Sequence, residues 1–330
     1  MIAVPFDHAI KISPEHLALL IDLWVRSDFS YPHGVTDHAF IRLSLEDLIL
    51  RGEISTLRVF LERSGLKDNA EVFRKLFRMT SALPSYYDAK AFIARYDRHS
   101  AFDYISGMDI SDVLIIVFTG SNQRVGFPLP LVHGLFETSG CPVLYLKDRS
   151  RKFFCDGLGD GDSRDALIAR IRQKMEHEGI RRSILFGCSS GTFAALQYAQ
   201  ALSASHVMGM AGPTWIDPAD ARSQIQGLRA KVISSGLPLD AVEALGRTDS
   251  CMVRYYYGEN HVRDGAYGRH LVESGAGDAV AVRGTANHIV FDIVSELGLF
   301  QADLAAAVSG LEYTEASAYP EVSEPFRVRR

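Results

Sequence analysis

The chain has 330 residues, of which 47% are hydrophobic and 23% charged, and its formal net charge is −5. This composition is that of an ordinary globular protein with a sizeable core, in one large domain or two smaller ones. No block of five or six like charges occurs, so the sequence predicts no nucleic-acid partner.

Two features of the sequence bear on where the protein acts. The stretch from Met1 to His8 lacks a basic region followed by a long apolar run, so we expect no secretory signal and a cytoplasmic location. The apolar stretch from Leu17 to Val25 is interrupted by Asp22 and has about half the length needed to span a bilayer. The sequence therefore predicts no membrane span.

The cysteines and the acidic loop give no indication of a metal or a cofactor. The four cysteines, at positions 141, 155, 188 and 251, form no C-x-x-C pair, which argues against a zinc site and a disulfide scaffold. The loop 156–162 is rich in Asp and Gly, but Arg164 stands where a calcium loop needs a ligand. We therefore predict that the protein needs no metal and no cofactor.

The first 80 residues have a helical pattern. Ser13 and Pro14 are typical of a helix start, apolar residues recur between positions 45 and 61, and another helix is expected after Asn69. We predict a helical N-terminal region over 1–80, which is a candidate surface for a protein partner or for homo-oligomer formation. The stretch 81–85 would be its boundary.

From residue 85 onward, short apolar runs alternate with helical segments, which predicts a mostly parallel central sheet with helices on both faces. The helix between Asp162 and Gly179 has Asp162 or Ser163 to cap it and Gly179 to end it. The predicted strands are 91–96, 113–118, 142–146, 183–186, 207–210, 253–257 and 279–282. We predict a catalytic domain over 85–308 and a loosely attached C-terminal extension over 309–330.

The sequence Gly187-Cys188-Ser189-Ser190-Gly191 follows one of these strands and leads directly into an apolar helix. This is the G-x-S-x-G pattern in the strand-turn-helix context that exposes a nucleophilic serine at the edge of a sheet. Glycines on either side of Ser189 leave room for a strained turn and close helix-strand packing. Ser189 is therefore the candidate nucleophile.

A nucleophilic serine needs a histidine to take its proton and a carboxylate to orient that histidine. Asp264 lies after the strand 253–257, near the start of a helix, where it could instead serve only as a cap. His288 lies after the next strand, 279–282, and before an apolar helical stretch, where surface or capping histidines are also common. The order Ser189, Asp264, His288 favours a catalytic set over these separate structural roles.

With these residues in this order, the chain resembles the α/β-hydrolase superfamily, whose members carry serine, acid and histidine in this chain order, each on a loop after a strand. The resemblance covers roughly residues 85–300. Many relatives place the acid closer to the strand, at the position of His261, so Glu259 and Asp217 remain alternatives to Asp264.

The resemblance also implies an oxyanion hole made of two backbone N–H groups. One would be that of Ser190, which follows the candidate nucleophile, and we expect the other from Ser121 in the loop 119–122. This loop lacks the His-Gly pair that many relatives carry, so an ordinary glycine turn is the alternative.

The sequence therefore predicts a serine hydrolase that cleaves a carboxylic ester of a small molecule or a glycan through an acyl-enzyme on Ser189. In that reaction His288 would act as general base and then acid, and Asp264 would orient it. An acyltransferase with the same three residues is one alternative. A non-catalytic scaffold that binds a protein partner through its N-terminal helices is another.

Overall fold

A computed structural model describes residues 38–108, 111–159, 161–216, 229–230, 232–245 and 251–323. The helix expected at Ser13 and Pro14, the alternative acid Asp217 and the end of the C-terminal extension lie outside the described residues.

The described chain forms one sheet of eight strands. The strands are β1 (Phe102–Ile105), β2 (Val113–Phe118), β3 (Val143–Leu146), β4 (Arg182–Cys188), β5 (Ala204–Met210), β6 (Met252–Gly258), β7 (Asp278–Val282) and β8 (Val322–Ser323). Their order is β1-β3-β2-β4-β5-β6-β7-β8. The six central strands are parallel, and the edge strands β1 and β8 pair antiparallel with β3 and β7.

Helices flank this sheet and form the N-terminal region. They are α1 (His38–Leu50), α2 (Ile54–Ser64), α3 (Leu66–Asn69), α4 (Glu71–Ala82), α5 (Ala89–Arg95), α6 (Leu129–Glu137), α7 (Arg164–His177), α8 (Ser190–Ala199), α9 (Ala241–Leu245), α10 (Val262–Glu273), α11 (Phe291–Glu296) and α12 (Leu299–Val308). The expected cap of α7 is Ser163, whose hydroxyl accepts the Ala166 N–H at 3.1 Å.

The two faces of the sheet bury two separate apolar clusters. Successive strand residues point to opposite faces, so Ile115 and Val117 pack on one side while Leu114 and Ile116 pack on the other. The first cluster includes residues of the N-terminal helices, α6, α11 and α12, and the second includes residues of α7, α8 and α10. The predicted fold class, a mostly parallel sheet with helices on both faces, is confirmed.

The N-terminal helices share their core with the sheet. Phe60 and Phe73 are fully buried and belong to the same cluster as the sheet residue Phe186. The Arg78 guanidinium of α4 lies 3.1 Å from the Asp292 carboxylate of α11, and Asp292 is fully buried. Apolar packing and a buried ion pair thus attach this region to the rest of the fold.

The prediction of a strand at 91–96 is wrong, because these residues lie mainly in helix α5. The Asp88 side chain accepts the N–H groups of Lys90 and Ala91, which caps the first turn of the helix. Phe92 is buried and stacks on His133 with ring centroids 4.3 Å apart. The first strand is instead β1, whose short length and partly exposed alternate residues gave no clear signal.

The expectation of a loosely attached C-terminal extension is also wrong for its described part. The Tyr313 hydroxyl donates to the Val207 carbonyl at 3.0 Å, and the buried Arg254 guanidinium donates to the Thr314 carbonyl at 2.8 Å. Strand β8 then pairs with β7. These contacts attach the segment to the sheet, although its polar sequence gave no indication of them.

Among the helices that the structure describes, none has the length and apolar character required to cross a bilayer.

Candidate active site

Ser189 lies in the tight turn between β4 and α8, at the carboxyl end of the sheet. Its backbone has φ 54° and ψ −117°, a strained conformation for a residue with a side chain. The Ser189 N–H donates to the Met210 carbonyl of the neighbouring strand at 2.9 Å, which holds the turn in place. The strain therefore occurs at the residue that sequence reasoning selected as nucleophile.

Three glycines let the backbone pack closely around this turn. A Cβ added at Gly187 would lie 2.4 Å from the Gly191 carbonyl oxygen, and one added at Gly191 would lie 2.0 Å from that of Phe118. Gly212, in the loop after β5, has φ +87°, and a Cβ there would lie 2.0 Å from the Ser189 carbonyl oxygen. Each of these positions excludes a side chain.

Cys188, directly before Ser189, is not a competing nucleophile. The side chain is buried, and burial raises the pKa of its thiol to about 12. Because the thiolate is the reactive form of cysteine, a thiol with this pKa is inert near neutral pH. Ser189, which is partly exposed, is thus the candidate nucleophile of this turn.

The loop after β7 brings His288 to Ser189. The His288 Nε2 atom lies 2.9 Å from the Ser189 Oγ atom, and the His288 Nδ1 atom lies 2.7 Å from Asp264 Oδ2. If Nδ1 carries the proton and donates to the carboxylate, Nε2 is left as the acceptor for the serine hydroxyl. The three residues are then linked by two successive hydrogen bonds.

Asp264 is fully buried in the first turn of α10. Its Oδ1 atom accepts the Gly212 N–H at a long 3.4 Å. The loops after β6 and β7 are joined by two backbone hydrogen bonds, from the Glu259 N–H to the Val282 carbonyl and from the Asn260 N–H to the Thr285 carbonyl, both 2.9 Å. These bonds bring Asp264 and His288 together although 24 positions separate them in the sequence.

A second histidine contacts the same carboxylate. His261 is the N-cap of α10, and its Nδ1 atom lies 3.2 Å from the Asp264 N–H and 2.8 Å from Asp264 Oδ2. A bare Nδ1 accepts the capping hydrogen bond, whereas a protonated Nδ1 donates to the carboxylate. Asp264 is thus flanked by His288 and His261, and the cap role considered for Asp264 belongs to His261.

The alternative acid Glu259 is engaged elsewhere. Its Oε2 atom accepts the Gly284 N–H at 2.9 Å on the protein surface. Asp264 is the described carboxylate in contact with His288. Asp217, the third candidate, lies outside the described residues.

The two residues expected to form an oxyanion hole lie beside the Ser189 turn. Ser190 is the first residue of α8, so its backbone N–H has no acceptor within the helix. Ser121 lines the same cavity as Ser189 and His288. Ser190 is thus adjacent to Ser189 in the chain, and Ser121 shares its cavity; their role as an oxyanion hole stays a prediction.

The cavity beside Ser189 has a volume of about 460 Å³. The carboxyl end of the sheet contributes Ser121, Cys188, Ser189 and His288 to its lining. Helices α1 and α4 contribute Glu46, Val72, Lys75 and Leu76 to the same lining, and we call these residues the helical wall. The N-terminal region therefore forms part of the site.

The side chains of His261, Asp264 and His288 also form a possible metal-ligand group, with ligand atoms within 4.8 Å of one another. Two ligands of one zinc ion, each at about 2.0–2.2 Å in tetrahedral geometry, lie about 3.3 Å apart. The nitrogen-oxygen distances of 2.7 and 2.8 Å here are shorter and match direct hydrogen bonds. The arrangement fits a hydrogen-bonded set better than a metal centre.

Sequence reasoning missed three parts of this site. Gly212 looked like an ordinary glycine before proline, and His261 had no partner visible in the sequence. The helical wall gave no signal, because Lys75 and Glu46 resemble any solvent-exposed charges on helices. Only Gly212, in a glycine-proline loop directly after a buried strand, offered a clue to close backbone approach.

No protein-family model matches the chain, and no curated protein sequence matches it significantly. Similar solved structures include esterase B from Lactobacillus rhamnosis inhibited by a tributyrin phosphonate (11% identity, 67% of this chain and 91% of that chain, TM-score 0.44). Others are a carboxylesterase from Nitrososphaera gargenis (14%, 61% and 92%, 0.39) and a lipase-esterase related protein from Clostridium acetobutylicum (12%, 60% and 98%, 0.38). These proteins are α/β-hydrolases, the superfamily that the sequence resembles.

Proposed function

We propose that this protein is a serine hydrolase that cleaves a carboxylic ester through an acyl-enzyme on Ser189. The observation that carries the proposal is the hydrogen-bonded series from Ser189 Oγ to His288 Nε2 (2.9 Å) and from His288 Nδ1 to Asp264 Oδ2 (2.7 Å). The four cysteines form no disulfide, and three of them are buried, which fits the reducing cytoplasm as the place of action.

In the first step, Ser189 Oγ attacks the ester carbonyl carbon while its proton passes to His288 Nε2. The buried Asp264 carboxylate accepts the Nδ1–H of His288 and stabilises the imidazolium that forms. The carbonyl oxygen becomes negatively charged, and the backbone N–H groups of Ser190 and Ser121 stabilise this charge. Removal of one such donor costs roughly 10²- to 10³-fold in turnover.

In the second step, the tetrahedral intermediate collapses. The bond to the leaving alcohol breaks, and His288 donates its proton to the departing oxygen, which leaves Ser189 acylated. A water molecule then gives a proton to His288 Nε2 and attacks the acyl carbon. Collapse of this second intermediate releases the acid and restores the Ser189 hydroxyl.

The test is labelling of the full chain with a fluorophosphonate, combined with hydrolysis of 4-nitrophenyl acetate and mapping of the modified peptide by mass spectrometry. We expect labelling at Ser189, and loss of both labelling and turnover in Ser189→Ala and His288→Ala. Loss of a nucleophile or base in such a set costs on the order of 10⁶-fold.

Ser121→Ala is the matched control, since only its backbone N–H is assigned a role and labelling should stay within a few fold of wild type. No labelling of a folded protein would overturn the proposal and favour a non-catalytic scaffold. If acyl transfer to added alcohols greatly exceeds hydrolysis, the acyltransferase alternative holds.

A further inference from the structure

The cavity beside Ser189 contains three charged side chains among its lining residues. Glu46 and Lys75 belong to the helical wall, and Arg124 lies on the loop after β2. The rest of the wall and floor is largely apolar and includes Leu76, Phe127 and Ile289. The lining of the cavity thus contains two cationic side chains and one carboxylate among largely apolar residues.

The carboxylates around Lys75 are each paired with an arginine. Glu46 lies 3.1 Å from the Arg124 guanidinium at the cavity itself. The buried Asp292 lies 3.1 Å from Arg78, and Glu71 lies 3.0 Å from Arg74. Within the described ranges, no acidic side chain lies within ion-pair distance of the Lys75 ammonium. The Lys75 charge acts on the buried Asp292, whose pKa it lowers, but none of the described carboxylates holds the Lys75 ammonium in an ion pair, so the ammonium can also bind a ligand.

The position of Lys75 is set by the packing of α4. Val72, Lys75 and Leu76 lie at i, i+3 and i+4, so they share the helix face that lines the cavity. Arg78, one turn further, contacts Asp292 at 3.1 Å and Glu296 at 3.3 Å, both on α11. These contacts fix the helix against the segment that carries His288.

We propose that the cavity selects esters that carry a carboxylate, which the Lys75 ammonium binds while the ester carbonyl lies at Ser189. This inference names the substrate class of the proposed hydrolase and rests on that function. The apolar lining accommodates the carbon chain between the two groups. A carboxylate is the expected partner because a lysine point charge in an apolar surrounding gains most from an opposite charge.

The test uses two pairs of esters that differ in charge. The first pair, 4-acetoxybenzoate and 4-acetoxybenzamide, places the charge in the alcohol part. The second pair, monoethyl adipate and ethyl hexanoate, places it in the acyl part. We expect a higher kcat/KM for the anionic member of at least one pair, with product release measured by liquid chromatography.

Two variants that each remove one positive charge distinguish binding of the substrate carboxylate by Lys75 from a general attraction of anionic esters to the protein. Lys75→Met should lower kcat/KM for the preferred anionic ester roughly tenfold and leave its neutral counterpart within about twofold. Arg58→Gln, on the exposed surface of α2 and paired with Glu62, is the control and should change neither. Lys75→Glu should reverse the preference.

A binding measurement distinguishes failure of this inference from failure of the proposed function. Titration calorimetry on Ser189→Ala should show tighter binding of the anionic ester than of its neutral partner, and Lys75→Met should abolish the difference. Turnover that depends on Ser189 without any preference for anionic esters overturns the inference and leaves the function intact. Absence of Ser189-dependent turnover, with equal binding of both esters, overturns both.

Discussion

The two sides of the cavity are built in different ways. At the sheet edge, close backbone packing around Gly212 holds Ser189. The buried Asp264 carboxylate accepts the Gly212 N–H and makes a short hydrogen bond with His288. The helical wall is held by ion pairs that are in part exposed, such as the one between Glu46 and Arg124. The edge thus depends mainly on close backbone packing, whereas the wall depends on side-chain packing and ion pairs between helices.

Loss of the carboxylate at the sheet edge should have the largest effect on activity. Asp264→Asn keeps the size of the side chain but removes its negative charge and replaces one acceptor oxygen with an NH2 donor, which favours the wrong tautomer of His288. We expect kcat to fall about 10⁴-fold with little change in KM. Steady-state kinetics with 4-nitrophenyl acetate measure this change.

Glu259→Gln is the matched control, because Glu259 is an acid of the same loop whose carboxylate accepts only a surface N–H. Its kcat should stay within about threefold of wild type. A large loss in Glu259→Gln with normal activity in Asp264→Asn would show that the acid had been assigned to the wrong residue.

Loss of the ion pair that anchors the helical wall should reduce stability rather than abolish the chemistry. Arg78→Ala leaves the fully buried Asp292 without its guanidinium partner. We expect the free energy of unfolding to fall by roughly 3 kcal/mol, measured by urea denaturation. Arg74→Ala, which removes an exposed pair with Glu71, should cost less than about 1 kcal/mol.

The loss in Arg78→Ala should depend on pH. Burial raises the pKa of Asp292, and the hydrogen bond from Arg78 and the charges of Lys75 and Arg78 oppose that rise. Without Arg78 the pKa of Asp292 rises further, so the folded state binds the proton more tightly than the unfolded chain does. The destabilisation should therefore shrink as the pH falls from 7 toward the ordinary carboxyl range. A stability loss in Arg78→Ala that grows as the pH falls would contradict this account of the ion pair between Arg78 and Asp292.

A side chain at Gly212 should disturb the sheet edge itself. The new Cβ of Gly212→Ala would lie 2.0 Å from the Ser189 carbonyl oxygen, at a φ of +87°. We expect a stability loss of roughly 2–3 kcal/mol from backbone strain and overpacking, together with reduced labelling of Ser189. Gly284→Ala has a similar φ of +68° but open space around it, so it should cost only about 1 kcal/mol and leave labelling normal.

The smallest effect concerns the thiol beside the candidate nucleophile. Because burial raises the pKa of Cys188 to about 12, iodoacetamide at pH 8 should leave this residue unmodified in the folded protein. Activity should stay unchanged, and mass spectrometry should find Cys188 alkylated only after unfolding. Rapid alkylation of Cys188 with loss of activity would place an accessible thiolate at the sheet edge.

The fold class followed from local pattern. Strands such as β2 and β4 are buried on both faces of a parallel sheet, so they appear in the sequence as continuous apolar runs. The sequence did not predict the edge strand β1, because its alternate residues are partly exposed and no continuous apolar run marks it. It did not predict helix α5 either, whose start is marked only by the capping aspartate Asp88. Boundaries between an N-terminal region, a catalytic domain and an extension stay predictions.

For the site, the sequence by itself determined that Ser189, Asp264 and His288 each follow a predicted strand, in an order suited to acyl chemistry. It could do so because residues directly after parallel strands all lie at one sheet edge. Only the tertiary structure decided that His261 and His288 share the Asp264 carboxylate and that Lys75 lines the same cavity as Ser189. The loops that carry Asp264 and His288, and the helix that carries Lys75, meet through backbone hydrogen bonds and helix packing, which no local pattern of residues encodes.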